Sequence, residues 1–381
     1  MQSRERVLTS LNHQEPDRVP MDFGGTNFTG IQITAYDRLK RLLGVGTPTT
    51  IVNKRAQLVA VEDAIKDRLH VDLDGIGPNR PARLPGAADL PADGSVDEWG
   101  VHWLSGPSGE HAATNPPLAG METVAEIEAY PWPDPADPAR YAGLREKVLA
   151  LKSRSQRAVC FNIGGQIASH ARGMRGFEQW CMDFILNPGL AEAVMRKIMT
   201  IDLIMAEHAL AAIGDQVEVV CVADDLATQT GPMMSPAVYR KIIKPLQKEL
   251  FGFIKARTRA KLFYHCCGAA SFFLDDLLDA GIDILNPVQV SATNMNPEDL
   301  KKTYGDRVTF WGGVDTQHLL PFGSRQEVAD GVKRLIDVMA PGGGFILAPV
   351  HNIRPEVPPE NLAALYDTAW EYGRGTPYPT Q

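Results

Sequence analysis

Lys261-Leu-Phe-Tyr-His-Cys-Cys-Gly268 is a short apolar run that stops abruptly at an imidazole, two thiols and a glycine. If Leu262–His265 is a strand, alternate side chains take opposite faces, so His265 and Cys267 share one face and Cys266 points away. A borderline and a soft ligand projecting together from a strand end make half of a zinc site. The plainer reading is a pair of buried strand-end residues. A third reading, a Cys266 or Cys267 nucleophile activated by His265, is disfavoured because neighbours on a strand face apart.

Similar apolar runs recur on either side, centred near residues 20, 74, 161, 220, 263, 286, 310 and 347, nearly all followed by helical periodicity. Strands buried on both faces read as continuous apolar segments, and eight strand–helix units in alternation indicate a (β/α)8 TIM barrel. No Gly-x-Gly-x-x-Gly follows the first strand, which argues against an open dinucleotide-binding sheet. Ser3–Leu11 forms an N-terminal helical extension, and 53–69 is expected to be helix. A Pro/Gly-rich insertion or lid spans about 78–138 after the second strand, with Trp99, Val101 and Trp103 alternating as in a hairpin. A helical stretch over 177–212 should break at Asn187-Pro188-Gly189. The 381 residues are read as a single domain.

Composition narrows the partners. Lys+Arg 38 against Asp+Glu 46 gives a net charge of −8 with no basic block, so neither nucleic acid nor an anionic membrane surface is expected. No apolar run approaches the roughly 20 residues of a membrane span, and the first residues lack a signal-peptide core. Five cysteines in no disulfide framework fit a reducing, cytoplasmic setting. Cys160, Cys181 and Cys221 read as core residues. Ala340-Pro-Gly-Gly-Gly344 precedes the last strand and reads as a turn, not a phosphate loop.

Active sites of such barrels gather at the C-terminal strand ends. Those ends offer Asp22, Asp72 and Asp74, Asn162 and Gln166, Asp224, Asp225 and Gln229, His265 and Cys267, Asn286 and Gln289, Asp315 and Gln317, and His351 with Asn352. His265, Cys267 and His351 would supply three protein ligands and leave one position open, the pattern of catalytic zinc. Asp225 or Glu218 could add an oxygen. Asp74, Asp225 and Asp315 are candidate acid–base carboxylates. Asn162, Gln166, Gln229, Gln289 and Asn352 are candidate substrate contacts.

Several motifs together resemble the uroporphyrinogen decarboxylase superfamily. They are Arg4-Glu-Arg-Val-Leu with Asn12-His-Gln-Glu-Pro-Asp-Arg-Val-Pro20, Ala223-Asp-Asp-Leu with Gly231-Pro and Ser235-Pro, and Tyr264-His-Cys-Cys-Gly268. To these are added Asp283-Ile-Leu-Asn-Pro-Val-Gln289, Phe310-Trp-Gly-Gly-Val-Asp315 and Pro349-Val-His-Asn352 with Val357-Pro-Pro-Glu-Asn361. The resemblance covers nearly the whole chain. It implies the barrel and one of two chemistries, cofactor-free decarboxylation or corrinoid-linked methyl transfer by zinc enzymes. The decarboxylases carry an arginine-rich loop after the first strand, where this chain has Met21-Asp-Phe-Gly-Gly-Thr26. The methyltransferase branch holds zinc with a His-x-Cys pair, matched by His265 and Cys267, and a late cysteine, whose place His351 takes here. That branch implies a small thiol, methyl ether or methylamine as methyl acceptor or donor, with Asp225 or Asp315 as the acid. No corrinoid-binding motif is visible, so the methyl-corrinoid would be supplied by a partner protein. Alternatives are a metal-independent carboxy-lyase using Asp72 or Asp74, and a non-catalytic barrel that binds a ligand or a corrinoid protein. The chain could act alone or as a homodimer.

Overall fold

The computed structural model describes residues 1–84, 94–105 and 111–374. Twelve strands occur in chain order among them. Ile51–Asn53 (β1) and Leu58–Val59 (β2) form a hairpin, and Leu73–Ile76 (β3) enters the main sheet. Ser95–Val96 (β4), His102–Ser105 (β5) and His111–Asn115 (β6) lie in the insertion. The other sheet members are Ala158–Gly164 (β7), Val219–Ala223 (β8), Lys261–His265 (β9), Ile284–Val288 (β10), Thr309–Val314 (β11) and Phe345–Pro349 (β12). The main sheet is seven-stranded, in the order β12-β11-β10-β9-β8-β7-β3, and every pairing is parallel.

The expected first strand is replaced by something shorter. Pro20 to Asp22 lies between the two edges of the curled sheet, with only a single parallel bridge from Met21 to Leu347. Leu347 N–H donates to Pro20 O and Asp22 N–H to Leu347 O, while Asp72 N–H donates to Met21 O on the other side. This segment therefore holds the eighth position without regular ladder pairing, consistent with the proline at its start.

Inside the sheet Leu73, Cys160, Cys221, Phe263, Ile284, Trp311 and Ile346 pack together, joined by Val7 and Leu11 of the helix Ser3–Leu11. That helix plugs the N-terminal face, where Ser10 Oγ donates to Phe345 O. The turn before β12 passes close beneath it. Gly343, at φ 74°, lies against the backbone of Gln14, where a Cβ has no room.

Two local expectations need correction. The segment 53–69 is not one helix: β1 and β2 pair, Gln57 turns at φ 54°, and only Asp63–Arg68 is helical. Ile51, Val52, Val59 and Val61 are β-branched, which favours the extended form. The helix Ile167–Arg175, hidden by its glycine and short apolar stripe, was not expected between β7 and 177. The break at Asn187 is present, with Asn187 Oδ1 accepting from Leu190 N–H and Pro188 opening the helix Pro188–Ile213. Of the insertion, the described residues form a three-stranded antiparallel sheet, with Trp99 and Val101 buried. It packs on the barrel, with Trp99 against His170. The residues after Tyr372, whose glycines and prolines read as a tail, lie largely outside the described residues.

Candidate metal centre

β9 delivers His265 as its last residue, buried at 2% exposure, and Cys267 two positions on. The two share a face as the alternation predicts, with Cys267 Sγ 3.2 Å from His265 Nε2. His351, just past β12, completes the group: one ligand atom from each of His265, Cys267 and His351 lies within 4.8 Å of the others. The His265 and His351 rings meet edge to face, with centroids 5.6 Å apart.

The tautomer of His265 follows from its neighbour. Asn286 Nδ2 donates to Trp311 O at 3.2 Å, a carbonyl that can only accept. Asn286 Oδ1 is therefore the atom 2.6 Å from His265 Nδ1, and Nδ1–H is the donor. Nε2 is left with its lone pair toward Cys267. Burial lowers the His265 pKa and keeps the ring neutral, although Asp225 and the Asn286 bond act the other way. Neutral imidazole with one nitrogen anchored is the form that binds metal.

Burial and then the Asp225 carboxylate push the Cys267 thiol well above its ordinary range. Cys266 is raised as well, again by burial first. It faces away, receiving Leu226 N–H at 3.5 Å on its sulfur. A free thiolate nucleophile thus finds no support here, whereas a cation beside Cys267 would reverse the balance. From ordinary zinc bond lengths, tetrahedral N and S ligands sit roughly 3.4–3.7 Å apart. The donor set and spacing fit a divalent metal after small side-chain movements.

Asp225 stands beside this group. Its Oδ1 accepts Cys267 N–H at 3.0 Å and lies 4.0 Å from His265 Nε2. Arg172 Nη2 is 3.9 Å from its other oxygen. Gln289 Oε1 accepts Gly268 N–H at 2.7 Å, and its Nε2 donates to Gln229 Oε1 at 2.6 Å. Gln229 also donates to Ser291 O at 2.6 Å. These two amides brace the turn after Cys267, and that brace engages most of their hydrogen-bonding capacity.

Other expected site residues do different work. Asn162 Oδ1 accepts Asn27 N–H, and Asn352 bonds Gly30 N–H and Asn27 O, so both hold the 24–30 loop and neither points a free amide at the ligand set. Asp315 accepts Gln317, His318 and Leu319 N–H, capping the short helix Leu319–Phe322, and is no free acid. Asp74 sits at the start of β3, not its end, bonded to Lys66 at 2.6 Å and Ser155 at 2.7 Å. Asp72 is held there by Arg6 and Arg18, and Glu218 by Arg4 and Lys152. These carboxylates form an ion-paired layer on the N-terminal face, beside a cleft of about 510 Å³ lined by Arg6, Arg18, Lys66 and Trp370. Cys181 is only half-buried, while Cys160 and Cys221 are core.

The loop braced by Asn162 and Asn352 carries a residue that sequence reasoning missed. Phe28 stacks on His265, with centroids 3.8 Å apart and planes 12° apart. Both line a cavity of about 210 Å³ with Gln166, His170, Arg172, Ala223 and Asp225 on the barrel side. The insertion supplies Asp97, Trp99, Val101 and Trp103 to the same cavity, with Arg55 from the β1–β2 turn. Burial holds His170 neutral, with a pKa of about 3. Gln166 is thus the predicted substrate contact that does reach the cavity. The Trp99–Trp103 alternation was the available signal for its roof.

Residues 111–372 match the family model described as uroporphyrinogen decarboxylase. A methylcobamide:CoM methyltransferase of Methanosarcina barkeri is 29% identical over 215 residues, covering 55% of this chain and 58% of the relative. A uroporphyrinogen decarboxylase of Geobacter metallireducens is 23% identical over 247 residues, covering 63% of this chain and 68% of the relative. The chain spans about half the length of the methyltransferase relatives it matches. A solved methyltransferase from Methanosarcina mazei has a TM-score of 0.65 across 98% of this chain and 99% of that one at 19% identity, a likeness of fold. No helix among the described residues is long and apolar enough to cross a membrane.

Proposed function

The chain belongs to the uroporphyrinogen decarboxylase family, and from that premise we propose that it is a zinc-dependent methyltransferase. It moves a methyl group between a corrinoid carried on a separate protein and a small thiol, methyl ether or methylamine. The observation that carries this reading is the convergence of His265, Cys267 and His351 within 4.8 Å at the C-terminal end of the barrel. A decarboxylase of this family would instead need cationic groups after the first strand, and Phe28 occupies that loop.

His265 Nε2, Cys267 Sγ and a ring nitrogen of His351 would hold the metal. Bound zinc would supply a Lewis acid for the substrate heteroatom. The remaining chemistry belongs to the chain. Asn286 fixes the His265 ring and its tautomer. Asp225 fixes the Cys267 backbone and is the carboxylate placed to exchange a proton with a substrate heteroatom in the cavity. The insertion roofs that cavity and limits water. Asp315 and Asp74 have no part in this scheme, because their oxygens are engaged elsewhere.

Elemental analysis of protein purified without chelator should give about one zinc per chain, and Cys267→Ala should remove it. Wild-type protein without zinc would sink the proposal as stated. Loss of the methyl-cobalamin spectrum on addition of candidate acceptors tests turnover.

A further inference from the structure

The cavity beside His265 has a composition that bears on what enters it. Its formal charges cancel in pairs. Arg55 lies 3.3 Å from Asp97, and Arg172 donates to the Asp225 backbone oxygen and lies 3.9 Å from its carboxylate. Apart from the proposed metal, the described lining therefore offers an anion no side-chain cation that is not already paired.

The walls are flat and aromatic. Trp103 Nε1 donates to Asp97 at 2.8 Å, and the Arg55 guanidinium lies 4.1 Å over its ring, so the indole is fixed in place. Trp99 packs on His170 at 4.4 Å and is held from behind by Trp132. At the inner end Phe28 covers His265. The volume of about 210 Å³ exceeds the roughly 150 Å³ known to admit benzene, leaving room for a ring and a few more heavy atoms.

Taking the methyl-transfer reading as given, we infer that this slot takes a small, uncharged aryl methyl ether as methyl donor, its ring between Trp99 and Trp103 on one side and Phe28 on the other. The ether's O–CH3 bond breaks with its electron pair remaining on the phenolic oxygen, which takes a proton relayed from solvent by Asp225. The reduced cobalt of the partner's corrinoid supplies the pair for the new carbon bond. A thiol-sulfonate of similar length lacks the planar surface these walls complement.

The test is calorimetric titration of the zinc-loaded full chain with 2-methoxyphenol and, separately, with 2-mercaptoethanesulfonate. The ether should bind, and Trp103→Ala and Phe28→Leu should each weaken it at least about tenfold, as loss of a stacking face implies. Phe28→Leu keeps a large apolar side chain, so the test survives if Trp103→Ala fails to fold. Tighter binding of the sulfonate than of the ether, or ether binding unchanged in both variants, overturns the slot assignment. Adding reduced cobalamin and following its visible spectrum separates the two claims. Ether that binds through Trp103 yet is never demethylated refutes its role as methyl donor and leaves standing only the slot's preference for a small neutral ring.

Discussion

Replacing Asn286 by alanine removes two buried hydrogen bonds, the 2.6 Å bond from His265 Nδ1–H and the 3.2 Å bond to Trp311 O. Each stranded buried group costs about 1–3 kcal/mol, so folding stability should fall by roughly 2–6 kcal/mol. The metal effect is separate. Without Asn286, the proton on Nδ1 is no longer specified, and the tautomer with Nε2–H, which cannot ligate toward Cys267, competes. Loss of such an anchoring partner weakens metal binding about 10–100-fold, or about 1.4–2.7 kcal/mol. Competition with a chromophoric chelator measures this, with near-ultraviolet circular dichroism confirming that the variant is folded. Asn286→Asp is the informative partner. Its carboxylate still accepts Nδ1–H but, like alanine, cannot donate to Trp311, so comparing the two isolates the His265 bond. Aspartate should retain near-native zinc affinity. A folded alanine variant within about twofold of wild type would refute the anchoring role.

Two further predictions concern stability. Burial holds the Asp224 carboxyl up to about 6 in the fold, against an ordinary 3.8, despite N–H donors from Ala168 and Ser169. The folded state therefore keeps that proton to higher pH than the unfolded chain. Its contribution is full below about pH 3.8 and is lost as pH rises to about 6, on the order of 1–3 kcal/mol. Urea titrations between those limits should show a flatter stability–pH curve for Asp224→Asn than for wild type, and parallel curves would contradict it. On the other face, Arg18 makes bonds of 2.7 and 2.9 Å to the fully buried Asp72. Arg18→Ala should cost about 3–5 kcal/mol in urea unfolding without changing zinc content, because it strands a buried charge remote from the ligand set. A loss below about 1 kcal/mol would mean that Arg6 alone satisfies Asp72.

Strands buried on both faces announce themselves as apolar runs, which is why β7 to β12 were legible. His265 and Cys267 were legible for the related reason that strand alternation fixes which side chains converge. His351 needed only the expectation that strand ends meet at one mouth. Asp74 misled because a four-residue strand has its start and its end close together in sequence, and nothing local says which end a carboxylate marks. Asn162, Asn352 and Asp315 are a different case. Short polar side chains at strand ends can serve a ligand or brace a loop, and only the loop's path decides. Phe28 carried no signal, since a phenylalanine in a glycine-rich turn reads as filler until its ring is seen on an imidazole.

The irregular eighth position has a kinetic side. Met21 meets Leu347, and Ser10 meets Phe345, so the contacts that seal the ring join segments far apart in sequence. Loop closure over more than 300 residues is an entropic cost that no local contact offsets. Residues 3–22 can dock early on the β3 side, through Met21 O, Arg6 and Arg18 to Asp72, but the edge they share with β12 stays open until β12 has joined β11. Closing the ring is then a late step in folding, and the unsealed edge beside β12 is the surface exposed to aggregation in the interval.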